Sequence, residues 1–270
     1  MGLIFDARSA NLYESWYRSS SGRVMDKFVE ESISTLVNPL PGERILDVGC
    51  GEGNHLRLFD KLGLNASGVD ASPYMIRRAR GRVGGRSTLK VGRAEDLPFD
   101  DNEFELAFFI NTLEFLDDPL AAMREAGRVA RRGVFFGVMN SLSWYGLSAK
   151  AQGLFRKSFF DHITFYNLWE LRAHAKAAFG AVPMTWRCTR IGGPLMERLC
   201  SVLFRRWYLE HCPFGPFLGL YATMQYRMMT EQRPLRVGLK EAAPSALRGL
   251  TIGRTNCGEG VRRHERSLFV

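Results

Sequence analysis

The stretch Arg44-Ile45-Leu46-Asp47-Val48-Gly49-Cys50-Gly51-Glu52-Gly53 decides how this chain is read. Its first five residues read as a short strand, and three glycines at alternate positions follow at once. Glycine tolerates left-handed backbone and lets a ligand approach the main chain closely. A helix starting after Gly53 would offer unpaired N–H groups at its N-terminus. In an open α/β sheet such a loop lies outside the carboxyl end of its strand, where ligands bind. The spacing is G-x-G-x-G and departs from the dinucleotide fingerprint G-x-G-x-x-G, because Asn54 fills the sixth position.

Outward from this loop, short apolar runs alternate with helical patterns from Arg44 to Met139, the signature of βαβ units feeding a parallel sheet. Strands are expected over 44–48, 66–70, 87–91, 104–110 and 134–139. Ser72-Pro73 and Asp118-Pro119 each place an N-cap before a proline at the first helical position. Gly63 stands where a left-handed cap would end the helix that follows Gly53. Upstream, Val24, Met25, Phe28, Val29, Ile33 and Leu36 recur at helical spacing, so a helix should pack on the sheet before its first strand. Beyond Met139 the pattern predicts a helix over 144–155, then a capping box Asn167-Leu168-Trp169-Glu170 opening a helix to about Ala178. Strands follow over 182–189 and 217–225. Between them a helical insertion over 195–209 carries Met196, Leu199, Leu203 and Trp207 on one face. No internal repeat is visible.

Composition sets the outer limits. Of 270 residues, 46% are apolar and 24% charged, as in a chain that buries a sizeable core, which excludes disordered, collagen-like and small disulfide-stapled classes. The longest charge-free run is the seventeen residues 133–149, interrupted by Asn140, Ser141, Ser143 and Gly146. That falls short of the roughly 20 apolar residues of a membrane span. The N-terminus lacks the basic-then-apolar order of a secretory signal. Five scattered cysteines without a CxxC pair or zinc spacing read as free thiols in a reducing cytoplasm. The net charge is +9, of which residues 231–270 hold +4 (eight Arg or Lys against four acids). No dense basic run stands out, so the balance does not imply a nucleic-acid or anionic-lipid partner.

Three further positions complete a candidate site. Asp70, seventeen residues beyond Gly53, ends the second strand, where a carboxylate can accept hydrogen bonds from both hydroxyls of a ribose. Gly92-Arg93-Ala94-Glu95-Asp96-Leu97-Pro98-Phe99 follows the third strand, and a small residue there would let an adenine ring lie against backbone. Asn111-Thr112-Leu113-Glu114-Phe115 ends the fourth strand beside the reacting end of any ligand so held.

Together these residues resemble the class I S-adenosylmethionine-dependent methyltransferases, in particular the type 11 group that includes enzymes of ubiquinone and menaquinone biosynthesis. Ile45 to Gly53 is similar to the first motif of that family, Val69-Asp70-Ala71-Ser72-Pro73-Tyr74-Met75 to the second, and Ala94 to Phe99 to the third. Tyr13, Trp16 and Tyr17 resemble the N-terminal aromatic segment that covers the cofactor in relatives. Arg93 departs from the pattern, since many relatives carry Asp there; either Glu95 holds the adenine amine instead or that contact is absent.

The resemblance implies an α/β fold: a Rossmann-like, seven-stranded, doubly wound sheet with a C-terminal antiparallel hairpin and helices on both faces. It implies a methyltransferase domain over 1–230, with acceptor-pocket and lid elements in 141–216, and a basic, loosely ordered tail over 231–270. S-adenosyl-L-methionine is the implied cofactor and S-adenosyl-L-homocysteine its product. The implied cofactor-binding residues are Asp47, Gly49, Cys50, Gly51, Gly53, Asp70, Ala71, Ala94, Glu95, Asn111, Tyr13 and Trp16. Asp47 reads equally as a carboxylate that fixes the glycine turn. The catalytic group is unknown. Asn111, Glu114 (a solvated helix-start residue or a substrate-facing acid) and His162 are the candidates. No metal site is expected.

The aromatic residues Trp144, Tyr145, Phe155, Phe159 and Phe160 favour a small, partly hydrophobic acceptor. The fourth strand lacks the Asn- or Asp-Pro-Pro-aromatic ending of many base-flipping amino methyltransferases, which disfavours adenine or cytosine methylation and leaves other RNA positions open; a nucleic-acid partner is not expected. Two alternatives stand beside this reading. One is a non-catalytic adenosyl-ligand-binding protein. The other is a lipid methyltransferase making transient membrane-surface contact through Arg205, Arg206 or the tail.

Overall fold

The computed structural model describes residues 4–143, 163–189 and 212–224. The sheet has seven strands: β1 (Arg44–Val48), β2 (Asn65–Asp70), β3 (Thr88–Val91), β4 (Phe104–Ile110), β5 (Ala130–Met139), β6 (Met184–Cys188) and β7 (Phe217–Thr223), in the order β3-β2-β1-β4-β5-β7-β6. The first five pair in parallel. β7 enters antiparallel between β5 and β6, so the last two strands pair with each other across a long connection.

Side-chain alternation along each strand sorts the core into two layers, because successive residues face opposite sides of a sheet. Leu46, Ala107, Phe109, Val134, Phe136, Leu218 and Leu220 face one layer; Ile45, Leu106, Phe108, Ile110, Phe135 and Phe217 face the other. The first layer is covered by α5 (Pro119–Val129) and α6 (Leu168–Phe179), through Met123, Ala126, Val129, Leu168 and Leu171. The second is covered by α2 (Ser20–Ser32), a π-helical turn (Ile33–Val37), α3 (Asn54–Lys61) and Ile76 of α4 (Pro73–Val83). Phe59, Phe108, Phe109, Phe135 and Phe136 are fully enclosed. Burying each contributes on the order of 1.5–3 kcal/mol. The central strands are therefore the least replaceable part of the fold.

The expected local chemistry is present. Ser72 Oγ accepts from Met75 N ahead of Pro73, and Asp118 Oδ1 from Ala121 N ahead of Pro119. Gly63 adopts φ +72°. Asn167 and Glu170 form the reciprocal box that opens α6. One helix was not foreseen: α1 (Ala7–Tyr17), started by a box in which Ser9 N donates to Asp6 Oδ1 and Asp6 N to Ser9 Oγ. Its inner face carries Ala10, Tyr13, Trp16 and Tyr17, of which only Ala10 is fully buried. The helices expected over 144–155 and 195–209, and the tail 231–270, lie outside the described residues. No described helix is long and apolar enough to cross a membrane.

Candidate functional site

The carboxyl ends of β1, β2, β3 and β4 converge on one cleft. Its floor is the glycine loop. Gly49 and Cys50 both donate their N–H to Val69 O of the neighbouring strand, at 2.8 and 3.0 Å, which turns the chain over the sheet edge. Gly51 N then donates to Asp70 Oδ2 at 2.9 Å, while Ser72 N donates to Oδ1 at 2.8 Å. The Asp70 carboxylate is thus oriented by two backbone donors and keeps acceptor capacity for a ligand.

Two glycines are demanded by different features. Gly49 adopts φ +73°, and a Cβ there would lie 2.6 Å from Thr112 Oγ1 and closer still to its methyl. Thr112 in turn donates to Val48 O at 2.9 Å, tying β4 to β1 under the loop. Gly51 has φ +53° but open space beside it, so backbone conformation alone excludes other residues.

The remaining walls come from separate elements. Ala71 and Met75 lie beyond β2; Arg93, Ala94 and Glu95 lie beyond β3; Asn111, Thr112 and Phe115 lie beyond β4. Ile4, Phe5 and Tyr13 of the N-terminal segment also line the cleft. Phe5 meets Tyr13 and Phe115 edge-on, at centroid separations of 5.7 and 5.2 Å. Glu95 lies 3.5 Å from Arg93, which also stands 3.8 Å from Asp117. Asn111 is held at φ +51°, its N–H donating to Gly137 O.

Of the residues expected at the site, Gly49, Cys50, Gly51, Asp70, Ala71, Ala94, Glu95, Asn111 and Tyr13 border the cleft together. Gly53 sits behind it as the left-handed N-cap of α3. Trp16 turns to the second core layer. Asp47 lies beneath the loop, 1% exposed, with no hydrogen-bond partner for either oxygen. Burial pushes its pKa up to about 6 against the opposing influence of His55. His162 lies outside the described residues.

Glu114 corrects its solvated reading. It is 1% exposed within a 3-10 turn (Leu113–Phe115), and does not border the cleft. Its Oε1 accepts from Met139 N at 2.8 Å and its carbonyl from Thr164 N at 3.0 Å. Burial pushes its pKa up to about 7, with Oε2 left without a partner. The side chain faces the junction of β4, β5 and the returning segment at 163–166, which sequence spacing could not show.

Several bordering residues were missed. His55, in the first turn of α3, is buried against the cleft with Nε2 3.7 Å from Asp26 Oδ1, and Tyr17 donates its hydroxyl to the same oxygen. A titratable residue two places after the third glycine was the available signal. A dense basic run does exist, beginning in α4. Residues 73–94 hold Arg77, Arg78, Arg80, Arg82, Arg86, Lys90 and Arg93 and no acid. Arg78 and Arg82 are turned inward onto Glu14 and Glu52.

The groups present fit an adenosyl cofactor: a glycine floor with open space at Gly51, an oriented carboxylate at Asp70, and a small side chain at Ala94. Residues 46–138 match a family profile described as a methyltransferase domain. The chain is 33% identical over 147 residues to an uncharacterised protein of Methanocaldococcus jannaschii, covering 53% of this chain and 64% of that one. It is 28% identical over 127 residues to a malonyl-[acyl-carrier protein] O-methyltransferase of Serratia marcescens, covering 47% of each. The chain thus spans only about half to two thirds of these relatives. Among solved structures, a methyltransferase of Thermotoga maritima described as a possible histamine N-methyltransferase superposes with a TM-score of 0.60 at 24% identity, over 81% of this chain and 97% of that one. The magnesium protoporphyrin IX methyltransferase of Synechocystis, solved with S-adenosylhomocysteine, gives 0.57 at 14% identity, over 82% and 96%. These likenesses establish a shared fold. The family profile spans the glycine loop and most of the strands that frame it, so residues 46–138 are similar to a methyltransferase domain, and the sheet around them has the Rossmann-like fold of the methyltransferase structures it superposes on.

Proposed function

We propose that the domain transfers a methyl group from S-adenosylmethionine to a small, partly hydrophobic acceptor. The observation that carries this reading is the pair of bonds that brings Gly51 N and Ser72 N onto the Asp70 carboxylate at the mouth of the cleft. They leave an oriented acid where a ribose diol would hydrogen-bond. Ala94 and Glu95 border the adenine end, and the glycine loop with Asn111 and Tyr13 borders the methionine end. Asp47 lies beneath the loop and bonds to none of its N–H groups.

Bound S-adenosylmethionine supplies a methyl already activated on a sulfonium. The chain's task is therefore alignment, which can account for about 7–11 kcal/mol of barrier. Phe5, Tyr13 and Phe115 exclude water from this end of the cleft. Asn111, with its left-handed backbone, lies nearest the reacting end. Glu114 positions this region through Met139 and Thr164 rather than by touching a substrate. We assign residues 1–230 to the domain, since β6 and β7 complete the sheet beyond the profile match. The acceptor side is assigned to 141–216. Free Cys50, Cys188 and Cys212 support a reducing cytoplasmic setting.

Titration calorimetry should show binding of S-adenosylmethionine and S-adenosylhomocysteine but not NAD. Methyl-labelled cofactor incubated with fractionated cell extract should label a low-molecular-weight fraction. Binding without labelling of any fraction would favour a non-catalytic adenosyl-ligand protein, and label in the lipid fraction a membrane-surface enzyme.

A further inference from the structure

A compact ion cage joins three elements beside the cleft. Glu14 lies on α1, Glu52 lies between the last two glycines of the cofactor loop, and Arg78 and Arg82 lie one turn apart on α4. Arg78 Nη2 donates to Glu14 Oε2 at 2.8 Å, and Arg82 Nη2 donates to Glu14 Oε1 at 2.8 Å. Arg82 Nη2 also lies 2.5 Å from Glu52 Oε2. Arg78 Nε stands 2.8 Å from Glu52 Oε1, at an angle too poor for a hydrogen bond. The Glu52 side chain is only 3% exposed and that of Glu14 17%. Arg82 Nη1 reaches on to Asn54 Oδ1 at 2.8 Å, and Arg18 joins Glu14 from outside at 2.6 Å.

What the cage holds is a cover. α1 and the residues before it bring Ile4, Phe5 and Tyr13 over the cleft, yet α1 buries only Ala10 completely. Trp16 and Tyr17 pack against the second core layer but stay only partly buried, so apolar burial alone holds α1 less firmly than the inner helices. Further polar ties come from Ser72 Oγ to Phe5 O at 2.5 Å and from the Tyr17 hydroxyl to Asp26. Glu52 makes the cage more than a surface staple, because its backbone is the cofactor loop and its side chain borders the cleft. Closing α1 and setting the loop thus satisfy the same two guanidinium groups.

Building on the methyltransferase reading, we propose that the cage of Glu14, Glu52, Arg78 and Arg82 is a salt-sensitive latch that couples closure of α1 to the conformation of the cofactor loop and sets the residence time of the adenosyl ligand. Glu14 is then a positioning residue that touches neither cofactor nor acceptor. Opening α1 separates its carboxylate from two partly buried cations. Salt screens the attraction most once the groups meet water, so it speeds opening.

The test is stopped-flow release of S-adenosylhomocysteine from the full chain. In the unmodified protein, release should quicken as salt rises from about 0.05 to 0.5 M, across which the Debye length shortens severalfold. In Glu14→Gln, release at low salt should quicken at least about tenfold, as expected when one partner of a buried charge pair is lost. Its salt dependence should flatten, and the melting temperature of the sheet core should change little. A release rate independent of salt in the unmodified protein would overturn the latch, and that arm needs no variant. So would a Glu14→Gln variant that keeps both the slow release and its salt dependence. If the chain binds no S-adenosylhomocysteine at any salt, it is the cofactor reading itself that fails.

Discussion

Gly49 and Thr112 occupy space that cannot be shared with a methyl group. The glycine stands at φ +73° with Thr112 Oγ1 2.6 Å from where a Cβ would be, and the threonine hydroxyl is engaged with Val48 O. The end of β4 is packed directly under the turn that leaves β1. The floor of the cleft is therefore a contact between two strand ends as well as a glycine-rich loop.

Gly49→Ala should consequently be among the most damaging single changes in the cleft. It combines a left-handed backbone penalty of about 1–2 kcal/mol with overpacking of about 1–3 kcal/mol. Chemical denaturation should show a loss on that scale, accompanied by weakened cofactor binding. Gly51→Ala, with open space beside it, should cost only the backbone share.

At Asp70 the two backbone donors make charge and shape separable. Asp70→Ala should weaken S-adenosylmethionine binding by about tenfold or more, from the loss of charged hydrogen bonds contributing about 1.5–3 kcal/mol each. Asp70→Asn should lose stability as well, because an amide nitrogen would have to face Gly51 N or Ser72 N. Calorimetry of both variants separates the two effects.

Glu114 makes stability depend on pH with a definite sign. Its carboxyl titrates near 7 in the folded chain against an ordinary value of 4.5, because burial disfavours the charged form. The folded state therefore holds a proton that the unfolded state releases. The resulting stability is full below about pH 4.5 and is lost as pH rises towards 7, by up to about 3 kcal/mol. Asp47, raised to about 6 by burial, acts in the same direction. Glu114→Gln keeps an acceptor for Met139 N and cannot ionise. It should flatten the Glu114 contribution and be more stable than the parent at pH 8, as followed by urea unfolding across pH.

The rim after β3 is clamped from α5. Arg128 donates to Phe99 O at 2.8 Å and Leu97 O at 3.1 Å while its Nε and Nη2 donate to the two oxygens of Glu125, whose Oε2 also accepts from Leu97 N. Arg128→Lys cannot reproduce this planar fork. A modest stability loss of about 1 kcal/mol is expected, since the group is partly solvent-exposed. Cofactor affinity should fall further than that loss alone would cause, because Ala94 and Glu95 are carried by the clamped segment. Thermal melts set beside calorimetry would show the difference.

Much of the scaffold was legible in the chain itself. Strand and helix periodicity, the Ser72-Pro73 and Asp118-Pro119 starts, and the glycines of the first loop are governed by interactions within a few residues, so local chemistry suffices to read them. The run 73–94 shows where such reading stops. Its seven cations are plain in the sequence, but which of them face inward depends on Glu14, about sixty positions upstream. The same holds for α1, whose position rests on polar ties to α4 and the loop after β2 together with the packing of Trp16 and Tyr17 on the second core layer.

By itself, then, the sequence determined the alternation of elements, the glycine floor and the acid at Asp70, because each follows from near-neighbour geometry. Only the tertiary structure decided that Glu114 is enclosed, that Trp16 turns away while Tyr13 borders the cleft, and that Glu14 and Glu52 share two arginines. Burial and charge pairing arise between residues far apart in the chain. No local pattern encodes which of them will meet.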